Sequence, residues 1–505
     1  MFTDSQWIAR RASLFVIGAA LLVGIFVWRA TTQHAMGFPL DDSWIHQTYA
    51  RNLAQSGEWA FVPGEASTAS TAPLYTVLLA IGHALGLAPF LWAHVLGTLA
   101  LGLGAELAAR IAEHAFPNQR AVGWGTGLTV LFTWQLIWAA ASGMETMLYM
   151  TLALAVVWRT IKSPTPDGLQ GGWLVGIFGG LLYLTRPEGV GLVGLAGLLM
   201  LVTHWGKGYF RWAVAVALSF GVVVAPYVIW NYAQSGELLP STASAKVAQF
   251  APQRDAFSLP QHYTRLLIPP FIGAQLLLLP GMVVGIRQLI QARQYVYLLP
   301  LVYAVAHLSL YALRLPASFQ HGRYVMPIIP MLLLYGVGGW LHILHIARFS
   351  AVGRVVTRSL ALSTVGVLLA FIWIGAGAYA NDVRIINTEM VETARWVEDN
   401  IPLNDLFAVH DIGALGYYAP RDVLDLAGLV SPEVVPIINN DAALMQLICA
   451  RNAQWLMVFP DQRPAPRDDP RLQVVYESPY EFANEARGAA SETWKMRVYA
   501  IQCTP

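Results

Sequence analysis

The sequence predicts an α-helical polytopic membrane protein that ends in a small α/β domain, and three observations carry that prediction. Of 505 residues, 56% are hydrophobic and only 12% are charged, about half the ionic content of ordinary soluble domains. Apolar runs of about twenty residues, the length that spans a bilayer as a helix, recur as far as residue 380. Beyond it charges become frequent and apolar runs shrink to strand length: LFAVHD, QWLMVF, LQVVYE and WKMRVYAI. The net charge of +1 argues against nucleic acid as a partner.

The first run, 12–30, follows Arg10 and Arg11 as a signal peptide core would. It is longer than an ordinary h-region, and no small-x-small cleavage site stands before Phe38. It reads as a retained signal anchor with a cytoplasmic N-terminus. Further candidate spans cover 89–112, 120–141, 143–162, 172–185, 187–205, 208–232, 264–290, 295–313, 323–346 and 356–380. Segment 71–87, TAPLYTVLLAIGHALGL, is either a span or a helix lying in the interface. If it does not span, the cytoplasmic turns hold Arg110 with Arg120, Arg159 with Lys162, Lys207 with Arg211, Arg287 with Arg293, and Arg348 with Arg354 and Arg358. The positive-inside rule asks for this, and the opposite choice puts every one of them outside. The reading is therefore about eleven spans, with 71–87 a juxtamembrane helix of the first outer loop, 31–88. Residues 1–380 form the membrane domain and 381–505 an extracytoplasmic α/β domain, long enough for its own core. Cys449 and Cys503 lack metal-ligand spacing, and a disulfide between them stays open.

In this count Asp41, Asp42, Glu145 and Glu188 all face outward. LDDSW reads as a helix start, with one aspartate as N-cap and Asp42, His46 and Tyr49 along one face. A cap beside a dipole-friendly neighbour explains an ordinary acidic pair. At a membrane boundary, followed by His46 and Arg51, the pair suits another task. One carboxylate beside another gains proton affinity, which fits a general base acting on a hydroxyl. Which of the two acts is open, with Asp41 preferred because Asp42 aligns with His46.

Glu145, in ASGMETMLYM, sits at a tight Gly143 turn between apolar spans, where it is either a cap or a site acid. YLTRPEGVG breaks an apolar stretch: Pro187 ends the helix, and Arg186 and Glu188 are able to form a salt bridge. An arginine beside freed backbone amides is also placed to hold a phosphate. SGELLPSTASAKVAQF adds Lys246, and RLPASFQHGRYVMPIIP adds His321, Arg323 and Tyr324. Either group can complete an anionic site, although interfacial snorkelling and the aromatic belt account for Arg323 and Tyr324 as well. In AVHDIGALGYYAPRDVLDLAGL a strand ends in His410 and Asp411, a common ligand position, while Asp425 reads as a core acid. The chain lacks P-loop, GxSxG, HExxH, CxxC and Rossmann patterns, which argues against a nucleotide-driven pump and a zinc enzyme. The charged groups gather at one face, as in a membrane enzyme working on a substrate presented from the bilayer.

Taken in order, DDSWIHQTYARNL, STAPLY, GMETMLY, LTRPEG, GELLPSTASAK, HGRYVMPIIP and HDIGALGYY…VLDLAGL resemble the GT-C superfamily of polyprenyl-phosphate-dependent glycosyltransferases. The resemblance is strongest to the branch holding the terminal β-1,2-arabinofuranosyltransferase of the mycobacterial wall. Protein O-mannosyltransferases and the lipid A aminoarabinose transferase look more distant. It implies an inverting transfer from a polyprenyl-phosphate sugar, arabinofuranose first, to a hydroxyl of an envelope glycan or glycolipid on the outer face of the inner or plasma membrane. It makes Asp41 or Asp42 the base and Glu145 a catalytic-site acid. Arg186, Lys246 and Arg323 become cations around the donor phosphate, with His46, Arg51, Glu188, His321, Tyr324, His410 and Asp411 as further substrate-binding candidates. Neither a metal nor another cofactor is expected, and the chain is expected to act as a monomer. Mannosyl or glucosyl donors of the same fold are the near alternatives. A lipid-linked sugar flippase is the alternative from another class, and it would tolerate loss of both aspartates better than an enzyme.

Overall fold

The computed structural model describes residues 4–162, 169–204, 207–238, 240–479 and 495–503. The end of the run at 187–205, Leu239 of GELLPSTASAK, the first residue of WKMRVYAI and the side chain of Lys207 lie outside them. Among the described residues seven helices are long and apolar enough to cross a membrane, or eight if the bent pair Trp134–Ala141 and Thr146–Ile161 is one span. The protein is a multi-pass membrane protein. The other runs in the expected count of about eleven appear as shorter apolar helices, Val122–Leu131, Gly171–Thr185 and Pro187–Thr203. The run at 264–290 is not one helix. Pro269 and Pro270 end the helix Leu259–Leu267, and Gly273, at φ 128°, redirects the chain, leaving Ala274–Gln291 as the spanning part.

The chain divides into two compact units interleaved in sequence. The first comprises Met1–Val27, His94–Tyr227 and Phe257–Gly377; the second comprises Trp28–Ala93, Val228–Ala256 and Ala378–Pro505.

In the first unit Arg11, only 1% exposed, donates to Glu106 at 2.7 and 3.0 Å and also pairs with Glu113. Arg110 joins Glu106 at 2.7 Å. Arg11 lies near the start of helix Asp4–Gln33, and the two glutamates lie near the end of helix Pro89–Ala115. The start of one span and the end of the next therefore share a side of the membrane, which a spanning segment between them would forbid. Helix Pro73–Ala84 has 12 residues, about 18 Å at 1.5 Å per residue, against a hydrocarbon thickness of ~30 Å. It is too short to cross. Elsewhere helices Leu279–Gln291 and Ile329–Ala347 meet at glycines: a Cβ on Gly339 would fall 1.9 Å from the Gly281 carbonyl oxygen. Only small residues permit that approach.

In the second unit we label α1 (Asp42–Ser56), α2 (Pro73–Ala84) and α3 (Ser241–Gln249). The long helix Ala351–Ile385 runs through a π-helical turn, Ile386–Val391, into α4 (Glu392–Asn400). Then come β1 (Phe407–Val409), α5 (Gly413–Tyr418), β2 (Val423–Asp425), α6 (Asp441–Ala450), β3 (Trp455–Val458), β4 (Leu472–Glu477) and β5 (Arg497–Ile501). The sheet order is β2-β1-β3-β5-β4, with β1 parallel to β2 and β3, and β5 antiparallel to β3 and β4. Ala408, Leu424, Met445, Ile448, Leu456 and Tyr499 belong to its core. Cys449 and Cys503 are disulfide-bonded, their Cα atoms 5.5 Å apart, tying α6 to the segment after β5. The chain leaves β1 toward β2 and then returns across it to β3. The strand order therefore reverses between β1 and β3, and ligands of open α/β sheets bind at the carboxyl ends of such strands.

Candidate active site

The second unit holds the aspartate candidates Asp41, Asp42 and Asp411. Asp41 precedes α1 but makes no side-chain cap to that helix. Its carboxylate instead accepts the main-chain N–H groups of Gly413 (Oδ2, 2.7 Å) and Ala414 (Oδ1, 2.8 Å) at the start of α5. Arg51, on α1 and ten residues after Asp41, donates to the carbonyls of Tyr417 (2.6 Å) and Gly416 (3.1 Å) and lies over the Tyr417 ring. The acid thus sits at the positive end of α5 and the base at its negative end, the arrangement the peptide dipoles favour. Trp44 fills the space between, 4.8 Å from the Tyr417 and Tyr418 ring centres. Arg51 has donors committed to folding, whereas Asp41 keeps capacity: among the described residues each carboxylate oxygen accepts one N–H, leaving a second lone pair.

Around Asp41 the charges are arranged in sequence. Asp411, at the carboxyl end of β1, accepts from Gln462 Nε2 at 2.9 Å and faces His410 Nδ1 at 3.5 Å. Gln462 follows β3, so this hydrogen bond joins the segments that follow β1 and β3. Gln249 at the end of α3 approaches His410 Nε2 at 3.3 Å, and Lys246 on the same helix adds positive potential there. Burial, reinforced by the Asp411 and Asp42 charges, outweighs the two N–H donors and raises the Asp41 pKa to about 7. Burial acts on Asp411 in the same sense, but His410 and the Gln462 hydrogen bond win and hold it below the usual carboxylate range. Burial pulls His410 down, and Asp411 with Asp425 more than restores it. Asp425 is fully buried and accepts the N–H groups of Ala427, Leu429 and Val430, the core role expected of it. Asp42 is half-buried on the first turn of α1, and His46 is buried edge-on to Tyr75.

The basic candidates of the first unit form a second centre. Gly143, at φ 74°, makes the turn that presents Glu145, and Pro187 breaks the helix that presents Arg186. Arg186 Nε lies 2.9 Å from Glu145 and 3.7 Å from Glu188, and Tyr311 donates to Glu188 at 2.5 Å. Both Arg186 and Arg323 stack on the Tyr324 ring, at 5.0 and 4.9 Å from its centre, and Arg323 also donates to the Tyr324 hydroxyl at 3.0 Å. The Nη1 of Arg186 is buried without a hydrogen-bond partner among the described residues. Such a donor is costly unless a ligand meets it. His321, in a left-handed conformation at φ 58°, is set between Trp134 and Trp138, at 5.3 and 5.2 Å.

Several members escaped the sequence reading. His307 Nε2 contacts the Tyr324 carbonyl at 2.8 Å, so it must donate there. Its Nδ1 then accepts from Tyr303 at 3.2 Å, and Tyr303 in turn accepts from Tyr149 at 2.5 Å. Tyr303, His307 and Tyr311 stand four residues apart along helix Leu299–Arg314, a polar stripe on an apolar helix that periodicity would have revealed. Gln249 and Gln462 carried no signal: nothing in their local sequence separates them from surface glutamines.

Three comparisons bear on this geometry. A family model described as a domain of unknown function (DUF8728) matches residues 384–499. The terminal beta-(1->2)-arabinofuranosyltransferase of Mycobacterium tuberculosis (strain ATCC 25618 / H37Rv) is 28% identical over 253 residues, covering 47% of this chain and 39% of that protein. The chain thus spans well under half the length of that curated relative. Among solved structures, ArnT from Cupriavidus metallidurans bound to undecaprenyl phosphate aligns over 99% of both chains with a TM-score of 0.60 and 16% identity. The archaeal oligosaccharyltransferase AglB from Archaeoglobus fulgidus, in complex with an inhibitory peptide and a dolichol-phosphate, gives a TM-score of 0.60 at 9% identity over 90% of this chain and 70% of that one. The arabinofuranosyltransferase AftD from Mycobacteria gives 0.53 at 15% identity, over 100% of this chain and 40% of its own.

Proposed function

On the premise of a fold shared with the GT-C glycosyltransferases, we propose that this protein is an inverting glycosyltransferase using a polyprenyl-phosphate sugar. The donor sugar is arabinofuranose, as in the curated relative, and the acceptor is a hydroxyl of an envelope glycan or glycolipid at the outer face of the inner or plasma membrane. The observation that carries the reading is Asp41: a carboxylate held by two main-chain donors of the turn that follows β1, its pKa raised to about 7. A general base works best with a pKa near the working pH.

In the reaction the acceptor oxygen attacks the anomeric carbon as Asp41 takes its proton. The bond from that carbon to the phosphate oxygen breaks, and polyprenyl phosphate leaves with the electron pair. Within the other unit, Arg186, whose Nη1 has no hydrogen-bond partner among the described residues, and Arg323 are cations able to hold a phosphate of the lipid donor. Glu145 and Glu188 hold Arg186 in place, so Glu145 serves the donor through the arginine. Lys246 adds a cation in the unit that holds Asp41.

The test is a thin-layer assay of the purified protein against a panel of labelled polyprenyl-phosphate sugars. The account expects transfer from one of them with release of polyprenyl phosphate. Movement of lipid-linked sugar across vesicles without any transfer would make the protein a flippase instead.

A further inference from the structure

We propose that Asp411 is a positioning residue for the transfer step: a fixed second carboxylate, brought against Asp41 by the turn that clamps it, acting only through Asp41. The inference rests on the reading of Asp41 as base, and it assigns Asp411 a part in the chemistry without contact to substrate.

The turn from His410 to Ala414 has little freedom. A Cβ on Gly413 would fall 2.1 Å from the Asp41 carbonyl oxygen and 2.8 Å from Oδ2, so the turn is pressed directly on the acid. Two residues earlier the same turn carries Asp411, and Gln462 and His410 hold its carboxylate. Two carboxylates at such a site relieve their repulsion when one takes a proton. Asp411 already has a donor and a partly cationic partner, so the proton goes to Asp41. The opposite pKa directions of the pair agree with this division. The N–H groups of Gly413 and Ala414 keep Asp41 in position in either protonation state, and Asp411 supplies the pull that makes it accept the acceptor's proton.

Other charged or titratable groups lie on the packed elements, among them His46 on α1 and Asp461 beside Gln462. Asp42 opens α1 and pushes in the same direction as Asp411. Asp425 and Lys246 face His410 with opposite signs. Arg51 is spent on the carbonyl end of α5, beside Tyr417. Arg395 of α4 lies over Tyr418, and His83 of α2 is bonded to Gln47. From the sheet side, the Asp411 charge acts on Asp41.

The test combines two readouts on full-length wild type, Asp411→Asn, Asp411→Glu and Asp41→Asn. Infrared titration of the buried carboxyl band needs no substrate, and Asp41→Asn identifies the band. Asp411→Asn is expected to move its midpoint to lower pH by about one unit, a tenfold loss of proton affinity. The acid limb of the transfer rate should move with it while the plateau rate falls, and Asp411→Glu should restore both in part. An unmoved band in folded Asp411→Asn overturns the proposal, as does a plateau that falls while the limb stays in place. If Asp41→Asn transfers at the wild-type rate, the base assignment fails instead, whatever the infrared shift.

Discussion

The carboxylate of Asp41 is seated on the main-chain N–H of Gly413 at 2.7 Å, joining positions 372 residues apart. A loop beside the first span and a turn at the edge of the sheet thereby become one object, closed at its other end by Arg51 on the Gly416 and Tyr417 carbonyls. The contact is tight enough to predict an outcome. In Gly413→Ala the new methyl would overlap the Asp41 carbonyl oxygen, the turn would withdraw, and two buried hydrogen bonds would weaken. We expect a loss of about 1–3 kcal/mol, seen as a lowered Tm in detergent, with transfer reduced at least about tenfold. Wild-type Tm and rate would contradict it.

Arg186 allows a second prediction. Lysine keeps the charge but not the planar fork that meets Glu145 and a phosphate together. Arg186→Lys should raise the KM for the lipid donor by roughly tenfold with a smaller change in kcat. Arg186→Ala would remove the guanidinium that Glu145 and Glu188 face and should cost about 3–5 kcal/mol of stability. Donor-concentration curves and thermal unfolding separate the two effects, and an unchanged donor KM in Arg186→Lys would remove Arg186 from the phosphate.

Much of this was legible in the sequence, and the remainder was hidden for identifiable reasons. The helix start in LDDSW, the break at Pro187 and a strand leading into His410 and Asp411 all follow from local signals. LDDSW announced a helix start. It did not announce that Asp41 would serve α5 instead of its own helix, because a contact across 372 residues has no local signature. The apolar run at 264–290 looked continuous, yet its paired prolines and Gly273 were visible and should have outweighed hydropathy. The tyrosine and histidine stripe of Leu299–Arg314 was hidden by the habit of reading aromatic residues in spans as packing.

The disulfide gives a third prediction. With Cys449 bonded to Cys503, no thiol should react with an alkylating reagent until the protein is reduced. After reduction on intact cells with impermeant reagents, both should react, as an extracytoplasmic domain requires. Replacing both by serine should cost about 2–4 kcal/mol. Labelling only after lysis would place the domain on the other side.

A fourth prediction concerns metals. A lipid phosphate is a good leaving group, and arginines are present to receive its charge. Transfer should persist in excess chelator. Loss of activity that a divalent cation restores would require a metal at Asp41 and Asp42.

The most direct measurement is the transfer rate of purified wild type, Asp41→Asn and Asp42→Asn from a labelled polyprenyl-phosphate sugar across a pH series. A base with its pKa raised to about 7 must be ionised to act, so wild-type activity should rise with pH through that value. Asp41→Asn should fall about 10²- to 10⁴-fold at the plateau, and Asp42→Asn by less. Transfer by Asp41→Asn at the wild-type rate, with the same pH profile, would contradict the account.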